Sequence, residues 1–234
     1  MSRTIPTAPL PEGAEKRREV ESMFDRIAPR YDLVNRVMTL GLDRRWRRRT
    51  IAALGLPTGS GVLDLGCGTG DLCEELRAAG HWPAGLDLSA GMLGAAHTTA
   101  PLVRGDALRL PVPDGAVDGI VSGFALRNVV DLAELFAECA RALRLGGRVA
   151  MLETDEPHNR LLQAGHRLWF RRVVPVLGGR LGRDRDAYRY LPRSSAYLPP
   201  TPQLLELVGE AGFDDVRHRR LGGGAVQLVS GTRR

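Results

Sequence analysis

Three acidic residues recur at similar places in this 234-residue chain, each at or near the end of a short aliphatic run. The runs are Val62-Leu63-Asp64-Leu65, Gly85-Leu86-Asp87-Leu88 and Leu102-Val103-Arg104-Gly105-Asp106. The first continues into alternating glycines, Gly66, Gly68 and Gly70, with Cys67 and Thr69 between them. Without a Cβ, the backbone takes positive φ readily and a ligand can lie against it. The spacing is G-x-G-x-G, whereas a dinucleotide-binding turn reads G-x-G-x-x-G with an acid about 20 residues further on. Asp87, 21 residues past Gly66, is suitably placed for a ribose diol in either case. Asp64 can accept hydrogen bonds from a cationic or amide group. Asp106, followed by Ala107, is placed to accept from the exocyclic amine of an adenine; its ordinary alternative is a loop-capping Asx residue. Acids without a phosphate cradle suit a nucleoside that carries a cationic group, and S-adenosylmethionine fits that description.

These residues need a scaffold that brings strand ends together. The glycine turn lies between a short aliphatic run and a helical segment, Leu72 to Ala79. Strand-like runs follow at 83–89, 102–106, 117–123 and 148–153. Helical segments lie between several of them, the clearest over Leu132 to Leu143 and stopped at Gly146-Gly147. Alternation of this kind predicts a parallel sheet with helices on both faces, which binds ligands at the carboxyl ends of its strands. Before it, residues 1–12 carry three prolines and predict a loosely attached start. Helical spacing follows over 14–27, 31–38 and 44–54. After it, residues 155–203 break the alternation with an amphipathic run, Leu161 to Leu177, that carries Trp169 and Phe170. An insertion there would sit over the strand ends as a lid. A helix over 204–211 and a terminal β-hairpin, 213–220 with 225–230, complete the chain.

Composition is that of a globular protein, 43% hydrophobic and 26% charged. No run reaches the roughly 18 apolar residues of a membrane helix, and no apolar stretch follows the amino terminus. The three cysteines lack metal-ligand spacing, which predicts a reducing cytoplasm, no disulfides and no bound metal. The net charge of +6 divides into +5 over residues 1–50, −5 over 51–154 and +6 over 155–234. Basic flanks can face anionic lipid or nucleic acid. The competing explanation is a general preference for arginine, since Lys16 is the only lysine.

The pattern from Asp64 to Gly70 resembles the first motif of class I S-adenosylmethionine-dependent methyltransferases. More narrowly, the chain resembles the ubiquinone/menaquinone C-methyltransferase family nearly end to end. Matching segments include Phe24-Asp25-Arg26-Ile27-Ala28 with Tyr31-Asp32, Leu86-Asp87-Leu88-Ser89, Gly105-Asp106-Ala107 and Tyr188-Arg189-Tyr190-Leu191. The most specific is Gly123-Phe124-Ala125-Leu126-Arg127-Asn128-Val129. The resemblance implies an α/β fold with a Rossmann-like, doubly wound, mostly parallel seven-stranded sheet. Around it stand N-terminal helices, a helical lid and a C-terminal hairpin. It divides the chain into a helical cap, 1–55, and a methyltransferase domain, 56–234, with the lid over 155–203. It places cofactor contacts on Asp64, Gly66, Gly68, Thr69, Asp87, Asp106, Ala107, Ser122 and Gly123, with Tyr31 closing over the cofactor. Arg127 and Asn128 face the acceptor. Three departures stand out: Ala125 where the family carries glycine, the acidic Thr154-Asp155-Glu156-Pro157, and Val229 where a histidine is usual.

The reaction implied is transfer of a methyl group to a ring carbon of a prenylated quinol, with demethylmenaquinol preferred on overall likeness. A phenol of pKa near 10 needs help to ionise at neutral pH. Arg127 is a fixed cation suited to the developing anion and Asn128 a hydrogen-bonding neighbour. The base is left among a water, Tyr188, Tyr190 and Asp155. The expected partner is the quinol, with no nucleic acid. A peripheral contact at the inner membrane face is a further expectation, and the oligomeric state is left open, a homodimer included. The alternatives are a related C- or O-methyltransferase acting on a phenolic or polyketide acceptor, a nucleic-acid methyltransferase, and a non-enzymatic cofactor-binding protein. The chain lacks the Asn/Asp-Pro-Pro-aromatic and Pro-Cys segments of nucleic-acid enzymes.

Overall fold

The computed structural model describes residues 11–173, 184, 187, 190 and 193–234. Five parallel strands form the body of one sheet: β1 (Gly61–Leu65), β2 (Trp82–Asp87), β3 (Leu102–Arg104), β4 (Val117–Gly123) and β5 (Leu143–Thr154). The hairpin of β6 (Phe213–Leu221) and β7 (Val226–Arg233) completes it, with β7 antiparallel to both neighbours. The order is β3-β2-β1-β4-β5-β7-β6. It reverses between β1 and β4, where an open parallel sheet leaves a crevice for ligands. Leu65 pairs with Ser122 there, so the glycine turn and the segment after β4 leave the sheet side by side.

The central strands β1, β4 and the second half of β5 read as largely aliphatic runs because both faces are covered there. On one face, Trp46, Ile51 and Leu54 of α3 (Asp43–Leu54) and Leu72 and Leu76 of α4 (Asp71–Ala78) pack on Val62, Val121, Ala150 and Leu152. On the other, Leu135, Phe136 and Cys139 of α6 (Leu132–Ala142) and Leu204 and Val208 of α8 (Thr201–Glu210) pack on Leu63, Leu65, Ile120 and Met151. Full burial of Phe136 contributes about 1.5–3 kcal/mol. Asp131 caps α6 through its side chain, as Ser89 caps α5 (Ala90–Gly94).

Before the sheet lie α1 (Gly13–Ile27) and α2 (Tyr31–Met38). Met23 and Ile27 of α1 pack with Met92 of α5. The approach is close: a Cβ at Gly91 would stand 2.7 Å from Asp25 Cα. The Asp25 carboxylate accepts from Ser89 Oγ at 2.5 Å and from Gly91 N at 2.8 Å. After β5, α7 (Arg160–Leu168) runs into a π-helical turn, Trp169–Val173.

The strand expected over 148–153 is longer, beginning at Leu143. Val117 pairs with Leu143 but Gly119 pairs with Arg148, so the residues between Leu143 and Arg148 leave the ladder and rejoin it. Gly146, at φ 74, makes that excursion. The expected loose start lies, apart from Pro11 and Glu12, outside the described residues. So do the glycine-rich turns after residue 177, Asp186, Tyr188, Arg189, Leu191 and the side chain of Phe170.

Candidate active site

At the end of β1 the chain turns through Gly66, Gly68 and Gly70, all at positive φ (67°, 56° and 90°). Four of the turn's amides are already occupied. Gly66 N and Cys67 N donate to Leu86 O, Gly68 N donates to Asp87 Oδ2 at 2.8 Å, and Gly70 N donates to Cys67 O. Ser89 N donates to Asp87 Oδ1 at 2.8 Å. Asp87 is thereby fixed at the mouth of the turn. Burial pushes its pKa up, and the backbone bonds from Ser89 and Gly68 oppose the rise. A Cβ on Gly66 would fall 2.6 Å from Ala125 Cβ, so glycine is required where these two segments cross.

A cavity of about 130 Å³ opens beside this turn. Gly66, Gly68, Asp87, Asp106, Ala107, Ser122, Gly123 and Tyr31, all expected as cofactor contacts, line it together with Asn128. Ser122 Oγ donates to Leu65 O at 2.7 Å and ties β4 to β1. Asp106 Oδ1 accepts from Leu108 N, while its Oδ2 pairs with Arg17 Nη1 of α1 at 3.1 Å. The Asx turn and the outward-facing oxygen coexist in this one residue.

Asp64 and Thr69 are not in this wall. Strand alternation turns Asp64 to the face opposite Leu63 and Leu65, where it is buried against Cys73, whose Sγ is 3.5 Å from Oδ2. Asp64 Oδ1 has no hydrogen-bond partner among the described residues. Burial pushes the Asp64 pKa up to about 7. Thr69 Oγ1 donates to Asp32 Oδ1 of α2 at 2.6 Å, joining the turn to the N-terminal helices.

A second cavity, of about 1270 Å³, lies on the other side of Tyr31 and Phe124, which line both. Phe124 is held at φ 62, a costly backbone state for a non-glycine residue. Its N–H donates to Leu152 O at 2.7 Å and its ring meets Trp46 edge-on at 6.4 Å. Burial pushes the Tyr31 phenol up to about 12. The large cavity is mainly apolar, with Met38, Leu40, Trp169, Leu198, Leu205 and Val226 in its wall.

Arg127 and Asn128 form a 3-10 turn, Leu126–Asn128, between the two cavities. Arg127 is buried and forms an ion pair with Glu153 through Nη1. Glu153 Oε2 also accepts from Arg127 N at 3.1 Å, and Oε1 from Thr154 N at 2.7 Å. Arg127 Nε donates to Ser194 Oγ at 3.1 Å. Its Nη2 has no partner among the described residues, while the side chain lines the large cavity. Asn128 Oδ1 accepts from Tyr190 OH at 3.3 Å. Of the candidate bases, Tyr188 lies outside the described residues, burial pushes the Tyr190 phenol up, and Asp155 pairs with Arg220 at 2.9 Å.

Sequence reasoning passed over several polar groups in the large cavity, His218 and Gln227 among them. His218 Nε2 stands 3.2 Å from Gln227 Oε1, and Gln227 Nε2 donates to Thr154 O at 3.2 Å. The available signal was one histidine in an arginine-rich strand.

The residues fit S-adenosylmethionine. Asp87 and Asp106 line one cavity together with Glu21, and the amides of Gly66, Cys67, Gly68 and Gly70, which could otherwise cradle a phosphate, are spent on protein oxygens.

The profile of the ubiE/COQ5 methyltransferase family matches residues 12–233. A demethylmenaquinone methyltransferase of Roseiflexus sp. (strain RS-1) is 42% identical over 97% of this chain and 99% of its own length. That of Roseiflexus castenholzii is 44% identical over 96% and 98%. Among solved structures, Haemonchus contortus phosphoethanolamine N-methyltransferase 2 with S-adenosyl-L-methionine shares the fold at a TM-score of 0.61. It is 16% identical, over 81% of this chain and 52% of that one. The chain belongs to the ubiE/COQ5 methyltransferase family.

Proposed function

We propose that this protein transfers a methyl group from S-adenosylmethionine to a ring carbon of a prenylated quinol, converting demethylmenaquinol to menaquinol. One observation carries the reading: a small acid-lined cavity and a large apolar one share Tyr31 and Phe124 as a common wall. The relatives named demethylmenaquinone methyltransferase support the choice of acceptor.

Bound S-adenosylmethionine supplies an electrophilic methyl group on a sulfonium. Asp87 is held to accept from a ribose diol and Asp106 from an adenine amine, so the nucleoside is oriented by acids rather than by phosphate contacts. Alignment is the main task in such a displacement, and the shared wall provides it by fixing where the two cavities meet. Arg127, with Glu153 locking its Nη1, keeps its guanidinium in the wall of the large cavity, on the acceptor side. A guanidinium there stabilises the oxyanion of an ionised quinol, which makes the neighbouring ring carbon nucleophilic. Glu153 holds the cation in place and lowers its net field, so Arg127 acts as a directed donor more than as a bare charge.

The large cavity exceeds the roughly 300–1,000 Å³ of most ligand sites, which suits a ring with a long isoprenoid tail. Leu40 and Leu42 line it and are also solvent-exposed, and Leu161, Leu162 and Leu168 of α7 are exposed as well. Among the described residues no helix is long and apolar enough to cross a membrane. Together with the exposed Arg36 and Arg45, these leucines support a peripheral contact through which the tail enters from an anionic bilayer.

The test is turnover with S-adenosylmethionine and a panel of acceptors: demethylmenaquinol, its oxidised quinone, a prenylated benzoquinol and a tail-less phenol. Methylation of the naphthoquinol, with the oxidised quinone inert, is the expected result. Turnover on the phenol alone would replace this reading with that of a phenolic-acceptor enzyme.

A further inference from the structure

The chain's only lysine is a buried one. Lys16, on the first turn of α1, is 4% exposed. Its Nζ donates to Val129 O at 2.6 Å and stands 3.7 Å from the centre of the Tyr197 ring. Tyr197 OH donates in turn to Pro11 O at 2.5 Å, just ahead of α1. Burial pulls the Lys16 pKa down to about 8. Arginine serves everywhere else as the cation, yet here a compact ammonium fits between a carbonyl and a ring where a planar, forked guanidinium is differently shaped.

The helix that carries Lys16 lies across the small cavity. Arg17 reaches Asp106, Glu21 accepts from Arg104 Nη2 at 2.6 Å, and Asp25 holds Ser89 and Gly91. Positions 17, 21 and 25 are one helix face. Val20 and Phe24 line the cavity from the same helix. With α1 seated, the space is about 130 Å³, below the roughly 300 Å³ at which ligand sites begin. Arg17 also occupies the carboxylate meant for the adenine amine. The nucleoside therefore has to displace Arg17 from Asp106, on the α1 face that covers the cavity, to enter and leave. Lys16 is a hydrogen-bonded contact that joins this cover to the acceptor side, because Val129 directly follows Arg127 and Asn128.

We infer that Lys16 is a positioning residue that fastens the α1 cover to the Arg127–Asn128 turn, so that the acceptor corner takes its working geometry when the cofactor side is covered. The inference rests on the reading of the small cavity as the S-adenosylmethionine site.

A single lysine makes the test clean. The full-length protein is treated with an acetylating reagent, and Lys16 is followed by mass spectrometry with the amino-terminal amine as internal reference. S-Adenosylhomocysteine binding is measured separately by calorimetry. Saturating S-adenosylhomocysteine is expected to slow Lys16 acetylation about tenfold and leave the reference rate unchanged, as for a group that reacts only from an opened state. Lys16→Met is expected to lower kcat about tenfold, a charge-assisted bond's worth, with KM for the methyl donor within about threefold. Lys16→Arg should fall with Lys16→Met rather than with the parent. Binding of S-adenosylhomocysteine without protection of Lys16 overturns the inference alone, as does full kcat in Lys16→Met. Absence of binding overturns the reading of the cavity and the inference with it. If Lys16→Met does not fold, the acetylation of the native chain still decides.

Discussion

Replacing Arg127 with alanine should do two separable things. Glu153 is fully buried, and Arg127 nearly so. Removing one partner of such a pair typically costs about 3–5 kcal/mol, because the other charge is left uncompensated. Glu153 retains two backbone donors, Arg127 N and Thr154 N, which argues for the low end, about 3 kcal/mol. In a chain of this length each kcal/mol moves Tm by about 2–4 °C, so a drop near 9 °C is expected. The second effect is on chemistry: turnover should vanish while affinity for S-adenosylmethionine stays near that of the parent, since Arg127 lines the large cavity and not the small one. Arg127→Met combined with Glu153→Gln separates the two. It removes both buried charges, at the cost of one backbone N–H, since the carboxylate oxygens of Glu153 accept from Arg127 N and Thr154 N and an amide can accept from only one of them. The double variant should regain part of the lost Tm and none of the turnover. Thermal unfolding followed by circular dichroism, beside a methyl-transfer assay, reads both quantities. An unchanged Tm in Arg127→Ala would refute the energetic argument, and parental turnover in the double variant would refute a catalytic role for the guanidinium.

Asp87→Ala should weaken S-adenosylmethionine binding by about 100-fold, two hydrogen bonds to a charged acceptor at about 1.5 kcal/mol each, readable by calorimetry; an unchanged Kd would remove the diol assignment. Gly66→Ala should lower both Tm and cofactor affinity, since its Cβ meets Ala125 at 2.6 Å and φ is 67°, and adding Ala125→Gly should recover only the part due to the clash. Asp64, with its pKa raised to about 7, gives a stability term fully present below the unfolded pKa of about 3.9 and lost as pH rises through about 7. Asp64→Asn should therefore match the parent near pH 4 and exceed it by up to about 4 kcal/mol at pH 8, measured by denaturant unfolding across pH. Parallel pH curves for the two proteins would show that Asp64 ionises freely in the fold.

Strands β1 and β4 were legible in the sequence because they lie inside the sheet with buried aliphatic runs that stop at a glycine, and β2 and β3 because a short aliphatic run ends at or just before an acid, although β3 is an exposed edge strand. The start of β5 was not, since its excursion over residues 144–147 is polar and glycine-rich, like an ordinary loop. The cofactor wall was legible where strand ends supply it, at Asp87, Asp106 and Ser122. Asp64 was harder to place, because the face a strand residue takes depends on register with the core and not on its distance from a motif. Arg127 was readable as a cation near the acceptor and also as the partner of a strand-end acid. The structure shows the ion pair with Glu153 at the wall of the large cavity, a contact over 26 positions that only the packed turn reveals. His218 was obscured by the arginines around it, and Lys16 was visible only as a count of one.

The most direct test uses S-adenosylmethionine carrying a trideuterated methyl group and chemically reduced demethylmenaquinone. Mass spectrometry and proton NMR then locate the new methyl group. The expected product, after oxidation, is menaquinone whose ring methyl alone is trideuterated, with both oxygens unmethylated. A label on oxygen, or no product from the quinol while another acceptor is methylated, would contradict it.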